Sequence, residues 1–254
     1  MQGEARKTAP KRIALVTGGS AGIGAATVRR LAAEGYAVTT GARRLDRLEA
    51  TVAGLPHARA LELDVRDNDS VEAFVRAAGI DRLDLLVNNA GGALGLDRIE
   101  NAPLERWLEM YEMNALSIVR LVKAFLPALR SSGDGHIVNV GSIAGFETYA
   151  GGGGYTGAKH AVRALSRTLR LELLGEPIRV TEVDPGLVET DFSLVRFSGD
   201  AERAAGVYRG YQPLSADDVA DCIAWAATRP SHVNIDEIVV RPRAQATATQ
   251  VHKT

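Results

Sequence analysis

Tyr155 and Lys159 stand four residues apart in Tyr155-Thr156-Gly157-Ala158-Lys159, so on a helix they share one face. An unperturbed phenol titrates near pH 10 and is a poor base at neutral pH. A neighbouring ammonium favours the phenolate and brings the group toward a range where it can exchange a proton. Alone, such a pair is usually a solvated surface pair, so its meaning depends on what the chain places beside it. Ser142 follows Gly141 at the end of an apolar run. A serine hydrolase elbow would need Gly-x-Ser-x-Gly, but positions 140 and 144 are Val140 and Ala144, which makes that chemistry a poor reading. His57, His136, His160, His232 and His252 are scattered without metal-ligand spacing, and no metal is expected.

A second constellation concerns phosphate. Thr17-Gly18-Gly19-Ser20-Ala21-Gly22-Ile23-Gly24 joins a short apolar run to a helical pattern. Glycines there let the backbone turn sharply, approach a pyrophosphate and pack the helix against the sheet. The helix N-terminus then offers free N–H groups and the positive end of its dipole. Gly24 is followed by Ala25, so the turn is not a Walker-type loop, which needs Gly-Lys-Ser/Thr. The next apolar run ends in Gly41-Ala42-Arg43-Arg44, with no acid before Asp46. An acid at that point would hold the ribose 2′-OH of NAD, whereas two guanidinium groups suit a 2′-phosphate and hence NADP(H). The bland use of the two arginines is to solvate a helix start, paired with Asp46 and Glu49.

Elements that could position these groups are visible in the hydrophobic pattern. Strands are expected at 13–17, 37–40, 60–63, 83–88, 136–140, 179–183 and 237–240, and helices at 23–34, 70–78, 103–129, 157–174 and 217–227. Strands apolar on both faces belong in a parallel sheet covered on each side. Regular βαβ alternation predicts an α/β fold, a doubly wound parallel sheet in a single Rossmann-type domain. That domain is expected to span 12–243, between a flexible leader (1–11) and a C-terminal tail (244–254). The stretch 186–214 interrupts the pattern after the sixth strand, at the sheet edge where ligands sit, and is expected to be a substrate lid.

Bulk properties narrow the function classes. The 254 residues are 46% hydrophobic and 24% charged with a formal net charge of −1, which gives no electrostatic footprint for nucleic acid or an anionic membrane. No apolar run approaches the roughly 18 residues that span a bilayer. The lone Cys222 excludes an internal disulfide and suits a reducing cytoplasm. Its helical spacing with Val219, Ile223 and Ala226 makes it a buried thiol.

Taken in order, the Thr-Gly-x-x-x-Gly-x-Gly turn, Asn88-Asn89-Ala90-Gly91, Asn114, Gly141-Ser142 and Tyr155-x-x-x-Lys159 resemble the classical short-chain dehydrogenases/reductases, over residues 11–242. Five degenerate motifs in one order make a specific match. The resemblance implies that Tyr155 exchanges a proton with the substrate oxygen, that Ser142 hydrogen-bonds that oxygen, and that Lys159 also holds the nicotinamide ribose. It implies that Asn114 supports a water relaying protons to Lys159. Gly18, Ser20 and Ile23 would meet the cofactor phosphates, Asp64 and Val65 the adenine, and Asn89 the ribose region. Pro185, Gly186, Val188 and Thr190 would close over the nicotinamide carboxamide.

Finer likeness, in Gly92-Ala93-Leu94-Gly95-Leu96, Asp191-Phe192-Ser193 and Val195-Arg196-Phe197, is to a bacterial subgroup acting on serine and other 3-hydroxy acids. Phe146-Glu147-Thr148 and the run Gly151-Gly152-Gly153-Gly154 depart from it, the latter being compatible with a wider, softer pocket. The small-molecule substrate expected is therefore a hydroxy acid or alcohol and its carbonyl counterpart. The alternatives are a broad-range carbonyl reductase and, further off, a non-catalytic NADPH-binding protein. Arg196 is expected to pair with a substrate carboxylate, pointed inward by Val195 and Phe197, against a surface pairing with Asp200 or Glu202. The apolar surface of the 103–129 and catalytic helices predicts a homotetramer.

Overall fold

The computed structural model describes residues 12–254, and the expected leader lies outside the described residues. Strands β1 (Ile13–Thr17), β2 (Ala37–Ala42), β3 (Ala58–Glu62), β4 (Leu85–Asn88), β5 (Gly135–Val140), β6 (Ile178–Pro185) and β7 (Glu237–Val240) form one sheet. Its order is β3-β2-β1-β4-β5-β6-β7 and every pairing is parallel. β4, β5 and β6 are buried along their whole length, and β4 and β5 are largely apolar on both faces, whereas β6 sets buried Arg179, Thr181, Glu182 and Asp184 among Ile178, Val180 and Val183. All seven expected strands are present, each within two residues at either end.

Helices α1 (Gly22–Ala33), α2 (Leu45–Val52), α3 (Asn68–Ala78), α4 (Leu104–Tyr111) and α5 (Ser117–Ser132) alternate with the first five strands. Beyond β5 follow α6 (Gly153–Glu172), α7 (Phe192–Arg196), α8 (Ala201–Tyr208) and α9 (Ala216–Ala227). Val71, Phe74, Ile118, Phe125 and Val162 of α3, α5 and α6 pack on one face of the sheet. Val28, Leu31, Val219 and Ile223 of α1 and α9 pack on the other. Each fully buried side chain of this kind contributes about 1.5–3 kcal/mol.

Four details differ from expectation. Helix α2 was not foreseen, being short and having only Leu48 buried. The expected 103–129 helix is two α-helices joined by a π-turn, Glu112–Leu116. The cause is local: the Asn114 amide donates to the Met110 carbonyl at 2.7 Å, the acceptor that its own backbone N–H would use in an α-helix. Helix α6 starts at Gly153 rather than 157, so Tyr155 lies in its first turn. Finally, 186–214 contains two short helices, α7 and α8, the second capped by Asp200.

Candidate active site

The strand order reverses between β1 and β4, and the crevice at a reversal lies beyond the carboxyl ends of the strands. A cleft of about 650 Å³ opens there. Of the residues selected from sequence, all but Asn114 line it, from Gly18 and Arg43 at one end to Tyr155 and Arg196 at the other.

The β1–α1 turn is built for close approach. Gly18 has φ +74°, and a Cβ there would come within 2.8 Å of the Asn89 amide and 3.0 Å of Ala90 Cα. Asn89 itself donates to the Thr17 carbonyl at 2.8 Å, so it ties the turn to the end of β4. Helix α1 begins after Ala21 with no side-chain cap, which leaves its first N–H groups available to an anion. Arg44 donates to Ser20 Oγ at 3.3 Å rather than pairing with Asp46 or Glu49, and Arg43 and Arg44 are both exposed. Bare backbone, free helix N–H groups and two guanidinium groups together fit a dinucleotide carrying a 2′-phosphate. Beside them Asp64 is held below the usual carboxylate range by the Arg66 guanidinium, at 2.7 Å. Arg66, which also pairs with Glu109 at 2.6 Å and lines the cleft, was not singled out from sequence. Its place two residues beyond Asp64 was the available signal.

At the other end Ser142, Tyr155 and Lys159 share one wall. The Ser142 backbone N–H donates to Asp184 Oδ1 at 2.8 Å, and its hydroxyl accepts from Ala144 N at 3.1 Å. Tyr155 packs edge-on against Phe192 with centroids 5.5 Å apart, on the same wall as Ser142. Lys159 Nζ lies 5.8 Å from the Tyr155 ring centroid and donates to the Val140 carbonyl at 2.9 Å. The expected lowering of the Tyr155 pKa is not met by the protein's own groups. Burial drives the phenol well above its ordinary range, and Tyr149 adds to this against the opposing Ser142 hydroxyl and Arg196 charge. Burial likewise lowers the Lys159 ammonium to about 8, with Asp184 and Glu182 opposing.

Asn114 stands behind this wall. Its side chain donates to the carbonyls of Gly92 and Met110 and accepts from Gly92 N, which pins the loop after β4. Asp184 and Glu182 were absent from the sequence-derived site although both are buried, at 0% and 3% exposure. Asp184 is pushed up to about 8 by burial and by Glu182 beside it, which favours its neutral form beneath Ser142. Two acids spaced two apart in a strand expected to be covered on both faces were the signal for them.

Arg196 reaches the site by a different route from the one expected. Val195 is 53% exposed and does not bury the loop. Instead Arg196 Nε donates to the Gly95 carbonyl and Nη2 to Tyr149 Oη, both at 3.1 Å. Its guanidinium lies 5.8 Å from the Tyr155 ring centroid and makes no pair with Asp200 or Glu202. The four-glycine run is also tightly packed. A Cβ at Gly152 would meet the Tyr149 ring at 2.3 Å, at Gly154 Met110 Cε at 2.4 Å, and at Gly153 the Trp107 ring at 3.0 Å. The glycines admit neighbouring side chains and do not widen the cleft.

A short chain dehydrogenase family model matches residues 12–199. An uncharacterized oxidoreductase of Mycobacterium tuberculosis is 56% identical over 240 residues, 94% of each chain. The NADP-dependent 3-hydroxy acid dehydrogenase YdfG of Salmonella typhi is 39% identical over 247 residues, covering 95% of this chain and all of that one. A closed serine dehydrogenase complexed with NADP+ superposes with a TM-score of 0.90 at 38% identity, over 95% of this chain and 100% of the other. The chain belongs to the short-chain dehydrogenase family of oxidoreductases. Among the described residues no helix is long and apolar enough to cross a membrane.

Proposed function

We propose that this chain is an NADP(H)-dependent dehydrogenase that interconverts a small hydroxy acid or alcohol and its carbonyl counterpart. The observation that carries the reading is the shape of the cleft: unpaired Arg43 and Arg44 at one end, and Ser142, Tyr155 and Lys159 on one wall at the other. Gly18, Ser20, Ala21, Gly22, Ile23 and Gly24 would hold the phosphates, and Asp64, Val65 and Asn89 the adenosine side. Pro185, Gly186, Val188 and Thr190 would hold the carboxamide. When bound, the nicotinamide supplies the hydride for reduction or accepts it in oxidation.

The protein's share is proton handling and orientation. In reduction Ser142 Oγ donates a hydrogen bond to the carbonyl oxygen, and the Tyr155 hydroxyl gives its proton to that oxygen as the carbon receives the hydride. A phenol held neutral by burial suits that acid role. Lys159 holds the ribose and, through a water supported by Asn114, returns a proton to Tyr155. The stretch 186–214 serves as a lid on the 12–243 domain. On it Arg196, fixed over Tyr155, would pair with a substrate carboxylate and orient the reacting carbon. A homotetramer is supported by exposed Leu104, Leu108 and Leu116 along the α4–α5 rod and Leu171 and Leu174 at the end of α6. Half-buried Cys222, its thiol pushed up by burial, suits a reducing cytoplasm.

The test is a panel of hydroxy acids and neutral carbonyls with NADP+ or NADPH, beside NAD+ or NADH. Turnover with serine or 3-hydroxypropionate and NADP+ is expected. Equal use of both cofactors would refute the phosphate assignment, and activity on neutral ketones alone would refute the acid.

A further inference from the structure

The chain does not leave the fold after β7. Ala246 N donates to the Gln250 carbonyl at 2.9 Å, His252 N to the Ala244 carbonyl at 2.8 Å, and Gln245 pairs antiparallel with Val251. This small hairpin turns back over the cleft, whose wall includes Gln245 and Ala248. Three loops converge on it. Glu147, in the loop after Ser142, accepts from Ala248 N and from Arg241 Nη2 at 2.5 Å each. Thr254 N donates to the Gly210 carbonyl at 2.9 Å, beyond α8. Gln245, 5% exposed, accepts from Leu187 N through Oε1 at 2.9 Å and donates to the Thr247 carbonyl through Nε2 at 3.1 Å.

We propose that Gln245 is a positioning residue for the nicotinamide end of the cleft, and that the segment carrying it is a strap binding the lid to the Ser142 loop. The proposal rests on the cofactor reading above. Both ends of the Gln245 amide are used, so its orientation is fixed. A Cβ on Gly186 would come within 2.3 Å of Gln245 Oε1, so the amide occupies the space a side chain would take there. Gln245 thereby sets the height of the Pro185–Val188 turn, and Ser142 Oγ reaches the Pro185 carbonyl at 3.5 Å. Without the amide, the part-buried Leu187 N–H loses its acceptor and the turn must move to find another.

The test uses two ligands that differ at the relevant end. NADP+ fills the whole cleft, whereas adenosine 2′,5′-bisphosphate carries the 2′-phosphate and no nicotinamide. By calorimetry on the full chain, Gln245→Leu is expected to weaken NADP+ by about tenfold, or about 1.4 kcal/mol. Adenosine 2′,5′-bisphosphate is expected to bind unchanged, and Gln245→Glu, which keeps the acceptor, to recover part of the loss. Deleting residues 250–254 leaves Gln245 in place and is expected to act in the same direction by a smaller amount, roughly two- to threefold, or about 0.5 kcal/mol. Equal weakening of both ligands would mean that Gln245 serves only the fold, and unchanged NADP+ affinity in both variants would remove its role. Failure of the unaltered protein to bind adenosine 2′,5′-bisphosphate would instead overturn the cofactor reading, and this proposal with it.

Discussion

The two ends of the cleft handle charge in opposite ways. Around β2 and β3, Arg43, Arg44, Asp64 and Arg66 remain in contact with water, with side-chain exposures of 26% and 30% for the Asp64–Arg66 pair. In the Asp64–Arg66 pair the side-chain hydrogen bond between the partners outweighs the desolvation of partial burial, so the charged forms are favoured. Around β5 and β6, Tyr155, Lys159, Glu182 and Asp184 are all at or below 9% exposure, and each has its neutral form favoured by burial. The same Coulomb attraction is worth several times more in that drier surrounding, and so is the cost of an unpaired charge. One end is suited to recognising a fixed charge and the other to moving a proton.

Tyr155→Phe should break the second end most completely. Turnover should fall by about 10²–10⁴ or more while NADPH still binds, because only the proton carrier is lost. Near-normal kcat would show that the buried wall is not the reacting one. Arg43→Ala/Arg44→Ala tests the exposed end. Loss of two charge-assisted bonds at about 1.5–3 kcal/mol each should raise the NADPH KM by about two to four decades and leave NADH nearly untouched. Arg196→Leu lies between the two ends in effect. It should raise KM for serine or 3-hydroxypropionate about tenfold while sparing neutral carbonyls of similar size. A uniform loss on both classes would reduce Arg196 to a support of the lid.

Protonation sharpens the contrast by a smaller margin. Lys159 is lowered to about 8, so its ammonium is present below that pH and lost as pH rises through it. With one group at that value, kcat should fall by roughly tenfold between pH 7 and pH 9. Binding of adenosine 2′,5′-bisphosphate, which does not reach Lys159, should stay level over the same range. A binding curve that follows the kcat curve would show that the two ends are not separable.

Much of this arrangement is written locally in the sequence. Val87 and Val138 sit in runs largely apolar on both faces, so their strands declare themselves. The glycine turn and the Tyr155–Lys159 spacing are equally local. What escaped were consequences of packing between distant segments. Nothing near Gly154 announces that Met110, from a helix far off in the chain, fills the space beside it, so a run of glycines suggested looseness where the chain is tight. Nothing near Tyr155 reports how completely it is buried, and burial outweighs the Arg196 charge that favours the phenolate. Gln245 lies 58 residues from Leu187, and only the folded chain brings its amide to that N–H.

The π-turn around Asn114 has a consequence for helical phase. An α-helix advances about 100° per residue, so one residue looped into the turn rotates everything after it by roughly that angle. Leu104 and Leu108, before the turn, face outward at 66% and 60% exposure, whereas Ile118, Leu121 and Phe125 after it face the sheet. Read as one continuous helix, the two apolar stripes do not line up. The rod is thus two amphipathic helices set out of step by a single residue, with Asn114 at the joint. Removing any one residue of 112–116 would straighten the helix and swing the whole α5 stripe off the core, a frameshift in angle rather than in reading.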